Sequence, residues 1–263
     1  MIKLIASDID GTLIQDSTPD LYPEAEREIV RLTDQGVLFA GTSGRQYASI
    51  RNVFRNVADR IIYIAENGAV IRYRDKTLAL TTMDRKTAEE LVEQLRRDFS
   101  DCDLVLSTPE GSRVEKKKDS FLDMLINGYH NKVELVKDVL DTKLPVVKVS
   151  MFYPGSIRER GERDLIPVWR DRLGVCVAGE EWVDFMDRSV DKGNALRTVQ
   201  RLFHIAPEET MAFGDNTNDL GLMRAAGESY AVENAHPSVK EAAKYICPSW
   251  REKGVWQVLR RLP

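Results

Sequence analysis

Three short, almost wholly apolar runs near the N-terminus constrain the fold more than any other feature. Ile2 to Ser7, Val37 to Ala40 and Ile61 to Ala65 have strand length and little polar alternation, so each reads as a strand buried on both faces. Between them the apolar residues recur at helical spacing: Ala25, Ile29 and Leu32 within Pro23 to Gln35, then Tyr47, Ile50, Phe54 and Val57. Gly36 ends the first of these helices. Apolar strands separated by amphipathic helices form a parallel sheet covered on both sides, an α/β architecture. The C-terminal third has the same texture. A helix through Ala195, Leu196, Val199 and Leu202 precedes a strand Thr210 to Phe213, a helix through Leu220 and Met223, and strands Tyr230 to Val232 and Tyr245 to Cys247. The two ends read as halves of one sheet.

From Thr82 to Asp187 the pattern changes. A helix through Ala88, Leu91, Val92 and Leu95 is followed by strand-like pieces Leu104 to Leu106 and Val146 to Phe152. A helix around Leu165, Val168 and Trp169 and strands Val175 to Ala178 and Trp182 to Met186 complete the segment. Mixed polarity along these strands predicts an antiparallel sheet with one wet face. The expectation is therefore a core of residues 1–81 and 188–263 with an α+β domain, 82–187, inserted into it. At 263 residues, a prior of about 150 residues per domain gives one or two domains, and two is the working expectation.

Charge and composition exclude several classes. Lys and Arg number 38 against 42 Asp and Glu, and the longest like-charged run is Lys116 to Lys118, which argues against nucleic acid or a membrane surface as the main partner. The surrounding stretch Glu115 to Asp119 reads as a solvated turn. Cys102, Cys176 and Cys247 are widely spaced and odd in number, a poor disulfide or zinc framework. His130, His204 and His236 are too scattered to argue for a histidine metal centre. The apolar stretch before Asp8 is too short for a signal peptide, so a cytoplasmic protein is expected.

The chemistry therefore rests on carboxylates at strand ends. Asp8-Ile9-Asp10-Gly11-Thr12 follows the first strand, where an open parallel sheet places its ligands. Two aspartates at i and i+2 point to one side of an extended chain, and Gly11 allows a sharp bend beside an anion. An isolated Asp-Gly is usually only a turn. Thr42-Ser43-Gly44-Arg45 follows the second strand and opens a helix, whose first N–H groups and dipole suit a phosphate, although such a motif alone is more often a cap. Lys192 sits where a helix is about to begin, a poor place for a cation unless an anion is near. Gly214-Asp215-Asn216-Thr217-Asn218-Asp219 follows a further strand and offers hard oxygen ligands suited to Mg²⁺. A calcium loop fails for want of its closing glutamate.

Taken together and in order, Asp8-Ile9-Asp10-Gly11-Thr12, Ser43, Lys192 and Gly214-Asp215 with Asn218-Asp219 resemble the four motifs of the haloacid dehalogenase superfamily. The insertion between the second and third motifs is similar to the cap of its Cof-type phosphatases. Glu66-Asn67-Gly68-Ala69 and Ala231-Val232-Glu233-Asn234-Ala235 also look Cof-like. One departure is Ser43, where the family commonly has threonine.

The resemblance implies a Rossmann-like doubly wound core and a Mg²⁺-dependent phosphatase acting on a small phosphorylated metabolite, with a sugar phosphate as the favoured class. It implies Asp8 as nucleophile, forming an aspartyl-phosphate, and Asp10 as the acid that protonates the leaving alcohol and then activates water. It places the metal on Asp8, Asp10 through its carbonyl, Asp215 and Asp219, the last from behind the direct ligands. Phosphate and substrate contacts would fall on Ile9, Gly11, Thr12, Ser43, Gly44, Arg45, Lys192 and Asn218. Arg45 is equally a contact at the domain border or a partner for its own helix. The cap would close over the site and set specificity, with His130 and Trp182 to Asp184 as weak candidates. A monomer is compatible with all of this. A phosphohexomutase is the nearest alternative, a phosphoacceptor signalling module a more distant one, and a catalytically silent binding module the last.

Overall fold

The computed structural model describes residues 1–15, 18, 20–115 and 118–263. Lys116 and Lys117, in the stretch read as a solvated turn, lie outside them. In chain order the first elements are β1 (Leu4–Asp8), α1 (Pro23–Asp34), β2 (Leu38–Thr42), α2 (Tyr47–Val53), β3 (Ile62–Ala65), β4 (Val70–Tyr73) and β5 (Lys76–Leu80). Next come α3 (Arg85–Asp98), β6 (Asp103–Thr108), β7 (Gly111–Glu115), α4 (Asp119–Asp123), β8 (Val133–Val136), β9 (Lys148–Phe152), α5 (Arg158–Arg160), α6 (Ile166–Trp169), β10 (Gly174–Ala178) and β11 (Trp182–Met186). The chain ends with α7 (Lys192–Phe203), β12 (Thr210–Gly214), α8 (Leu220–Ala225), β13 (Glu228–Val232), α9 (Pro237–Ala242), β14 (Tyr245–Cys247) and α10 (Gly254–Leu259). By contacts it divides into two compact units, Met1–Ala79 with Asp191–Pro263, and Leu80–Val190.

The first unit is built on an eight-stranded sheet in the order β14-β13-β12-β1-β2-β3-β4-β5. β14 to β3 run parallel, and β4 returns antiparallel to β3. Every residue of β1 and β12 is buried, as uniformly apolar central strands require. α1 buries Ala25, Ile29 and Leu32 as their spacing predicts, and α7 buries Ala195, Leu196 and Val199, while Leu202 of the same predicted stripe is exposed. β4 and β5 were not apparent from the sequence. They form a hairpin whose two central residues, Arg74 and Asp75, both have positive φ (49° and 60°), without the Asn-Gly or Asp-Gly pair that usually announces such a turn.

The second unit carries a six-stranded sheet, β10-β11-β9-β6-β7-β8, antiparallel except for the β7–β8 pair. On one face Val149, Met151, Val183, Phe185 and Leu106 pack with Ala88, Leu91, Val92 and Leu95 of α3. The opposite face is not wet as expected. Val105, Val114 and Phe152 pack there with Phe121, Leu122 and Leu125. Lys148 and Asp184, also buried, pair at 3.2 Å, and Ser150 Oγ donates to Asp184 at 2.6 Å. Bonded partners allow polar groups to be buried on a face that alternation alone marks as solvent-exposed. No helix among the described residues is long and apolar enough to cross a membrane.

Candidate active site

Asp8, the last residue of β1, lies opposite Thr42, the last residue of β2, and the neighbouring β12 ends at Gly214. Three loops therefore leave the sheet at its carboxyl edge: 9–14, 43–46 and 215–219. The first folds back on itself, with Leu13 and Ile14 N–H donating to the Ile9 carbonyl and Gly11 N–H donating to that of Ile14. Gly11 has a φ of 77°, which glycine adopts without steric cost. The Ile9 side chain is sealed in the core, which leaves only its backbone to meet a ligand. Thr12 is fully buried, and its Oγ1 donates to Asp215 Oδ1 at 2.9 Å, so the hydroxyl is committed to a carboxylate. Asn234 supports the same loop from the C-terminal half, donating to the Gly11 carbonyl at 2.7 Å.

Lys192 opens α7, capped by Asp191, whose carboxylate accepts from Asn194 N–H at 3.0 Å. The helix packs closely on α8, since a Cβ at Gly193 would stand 2.3 Å from the Gly221 carbonyl oxygen. This brings the Lys192 ammonium, only 2% exposed, to 2.6 Å from both Asp8 Oδ1 and Asp219 Oδ1. Asp219 Oδ2 accepts from Asp215 N–H at 3.0 Å and Asn216 N–H at 3.1 Å. Both oxygens of Asp219 are thus taken. Asp8 Oδ2, by contrast, is buried and has no hydrogen-bond partner.

A carboxylate oxygen from each of Asp8, Asp215 and Asp219 lies within 4.8 Å of the others. Burial, then Asp219, pushes the Asp8 carboxyl well above its ordinary range against the pull of Lys192. Burial, then Asp219, raises Asp215 to about 6. Burial alone would lower Lys192, but Asp219 and Asp8 outweigh it and hold the ammonium charged. Three carboxylates thus share one ammonium, which leaves a deficit of two positive charges. The orphaned Asp8 oxygen and this deficit fit a divalent cation. The direct carboxylate ligands available are Asp8 and Asp215, with Asp219 spent on Lys192 and the 215–216 backbone.

Arg45 reaches across to the first loop. Its Nε donates to Asp10 Oδ2 at 2.7 Å and Nη2 pairs with Oδ1, a two-point clamp on the second aspartate of the first loop. Ser43 is buried, its Oγ accepting from Arg45 N–H at 3.0 Å. Asn218 Nδ2 donates to Asn67 Oδ1 at 3.2 Å. Asn67 and Asn234 belong to the two lesser resemblances, and their residue types alone assigned them no task.

An acidic cluster, a buried lysine and a hydroxyl at the carboxyl edge of a parallel sheet are an arrangement for holding an anion beside a metal. A sequence profile of the haloacid dehalogenase-like hydrolases matches residues 5–259. The chain belongs to that family. This haloacid dehalogenase-like hydrolase is 27% identical over 261 residues to the 5-amino-6-(5-phospho-D-ribitylamino)uracil phosphatase YbjI of Escherichia coli K12, covering 99% of this chain and 96% of that one. It is 24% identical over 293 residues to phosphatase YwpJ of Bacillus subtilis 168, covering 99% and 100%. A crystal structure from Eubacterium rectale matches with a TM-score of 0.88 and 34% identity over 98% of both chains. The HAD subclass IIB sugar phosphatase BT4131 shares the fold, with a TM-score of 0.82 and 21% identity over 98% of both chains. As a haloacid dehalogenase-like hydrolase, the protein is a phosphatase that cleaves a phosphoric monoester. Hydrolases of this family generally use a divalent metal.

Proposed function

We propose that the protein is a Mg²⁺-dependent phosphatase of a small phosphorylated metabolite, with a sugar phosphate as the favoured class, working through an aspartyl-phosphate on Asp8. The observation that carries the reading is the unpartnered Oδ2 of Asp8 inside a buried acidic cluster in which Lys192 pairs with Asp8 Oδ1 and Asp219 Oδ1 and leaves the remaining negative charge unbalanced. Mg²⁺ held by Asp8, the Asp10 carbonyl and Asp215 would offset the repulsion between a carboxylate nucleophile and a dianionic phosphate. Lys192 steadies the attacking carboxylate and meets the phosphoryl oxygens, which also draw on Ser43, the Gly44 N–H and Asn218. Asp10 protonates the leaving alcohol and then, as a carboxylate, takes a proton from the water that cleaves the intermediate. Both Asp10 oxygens accept from Arg45, so the acid must first give up part of that clamp. Residues 82–187 are assigned the choice of substrate.

Phosphate release from sugar phosphates, polyol phosphates and nucleotides, with and without Mg²⁺, tests the reading. The wild type is expected to need the metal, and Asp8→Asn is expected to lose on the order of 10³-fold or more in kcat. Full activity in Asp8→Asn removes the nucleophile assignment. Interconversion of sugar-phosphate isomers with little phosphate released would favour a mutase.

A further inference from the structure

Beside the motif loops, residues 66–68 form a turn that this scheme does not use. Glu66, Asn67 and Gly68 have φ of 52°, 57° and 108°, three consecutive residues in left-handed space, two of them carrying side chains. Such a run persists only where its surroundings hold it. Glu66 N–H donates to the Arg45 carbonyl and Asn67 N–H to that of Ser43, both at 3.0 Å. A Cβ at Gly68 would lie 2.9 Å from the Asp191 carbonyl oxygen, so the turn presses on the residue that precedes Lys192. A Cβ at Gly44 would lie 3.1 Å from Asn67 Oδ1, and that same oxygen accepts from Asn218 Nδ2. One turn thus touches the loop that carries Ser43, the residue that caps the Lys192 helix, and Asn218.

We propose that Asn67 is a positioning residue for phosphoryl binding, acting through Asn218. The inference rests on the reading of Ser43, Lys192 and Asn218 as phosphate-binding groups. An amide carries two hydrogens on Nδ2, and Asn67 Oδ1, which can only accept, takes one of them. The other is left for an anion. Asn218 Oδ1 is buried and has no partner, so nothing on that oxygen opposes a rotation that would exchange the two ends of the amide. A rotated amide would turn an acceptor toward the phosphoryl oxygens and repel them. Asn67 fixes the orientation that attracts, and its backbone ties Asn218 to the Ser43 loop.

The test uses the full chain, p-nitrophenyl phosphate as substrate and inorganic phosphate as competitive inhibitor. Asn67→Gly accepts a φ of 57° and keeps the backbone donors while removing the acceptor. It is expected to lower kcat/KM by roughly tenfold or more and to weaken phosphate inhibition, with its melting temperature close to wild type. In an Asn218→Ala background the same change should cost no more than about twofold, because the two act in series. Asn67→Asp keeps an acceptor and the left-handed backbone. It should recover kcat to within about threefold while KM rises, since the added charge repels the substrate. An Asn67→Gly enzyme within twofold of wild type, a loss that multiplies fully with that of Asn218→Ala, or a kcat for Asn67→Asp no better than that of Asn67→Gly overturns the proposal. If Asn218→Ala changes neither kcat/KM nor phosphate inhibition, the reading of Asn218 falls and the proposal with it. A damaging Asn218→Ala beside a silent Asn67→Gly overturns the positioning role alone.

Discussion

Asp10 meets Arg45 with both oxygens, and this clamp sets up a contrast between substrates. Where the leaving group is an alkoxide, departure needs a proton. Aryl phosphates leave with little help. Asp10→Asn is therefore expected to lower kcat on an alkyl phosphate by about 10²–10⁴-fold and on p-nitrophenyl phosphate far less. Steady-state rates on the two substrates check this, and equal losses would argue against the acid role. At this scale the sequence displayed chemistry-bearing residues wherever they stood at the end of an apolar strand, as Asp8, Asp10 and Asp215 do. It did not display their partners. The Thr12–Asp215 bond joins residues 203 positions apart, Asn67–Asn218 spans 151 and Arg45–Asp10 spans 35. Such pairings are products of the folded sheet and have no local signature, which is why the donation from the Thr12 hydroxyl to Asp215 could not be read from the sequence.

Among the elements, the contact between α7 and α8 governs where Lys192 points. The backbones meet at Gly193 and Gly221, with no room for a methyl group on Gly193. Gly193→Ala is expected to destabilise the protein by about 1–3 kcal/mol through overpacking and to lower activity further than that loss explains, because the helix carrying Lys192 must shift. Urea unfolding beside kcat/KM separates the two effects. Elements with strong periodicity were legible. β11 and β14 have the predicted bounds, Trp182–Met186 and Tyr245–Cys247, and α3 follows its apolar stripe. β8 is only four residues long, with Glu134 and Leu135 exposed, too short a run for its apolar residues to announce a strand. The single helix read around Leu165 to Trp169 is instead broken between α5 and α6 by a five-residue π-helical turn, Gly161–Leu165, which shifts the spacing on which a helical reading depends.

For the whole molecule, the acidic cluster couples stability to pH and metal. Asp8 and Asp215 have folded-state pKa values above their unfolded ones, so between the two the folded chain binds more protons. Without metal, the Asp215 contribution to stability falls as pH rises from about 4 through about 6 and levels off above, while that of Asp8 falls over a window set by its own raised pKa. Mg²⁺ favours the ionised carboxylates and should therefore stabilise more at pH 8 than at pH 5. Thermal unfolding of the wild type and Asp215→Asn in EDTA and in Mg²⁺ measures this. A wild type whose pH dependence in EDTA matches that of Asp215→Asn would contradict it.

Strand β1, which ends at Asp8, is hydrogen-bonded on one side to β2, which follows it closely, and on the other to β12, where Leu4 lies opposite Thr210. During synthesis the entire Leu80–Val190 unit is made before that second neighbour. Until then β1 has an open, apolar edge, the kind of edge that invites pairing with other chains. The loop holding Asp215 and Asn218 follows β12 directly, so the closing of that edge and the assembly of the acidic cluster are one event. A nascent chain still exposed to misassociation is thus one whose acidic cluster is still incomplete.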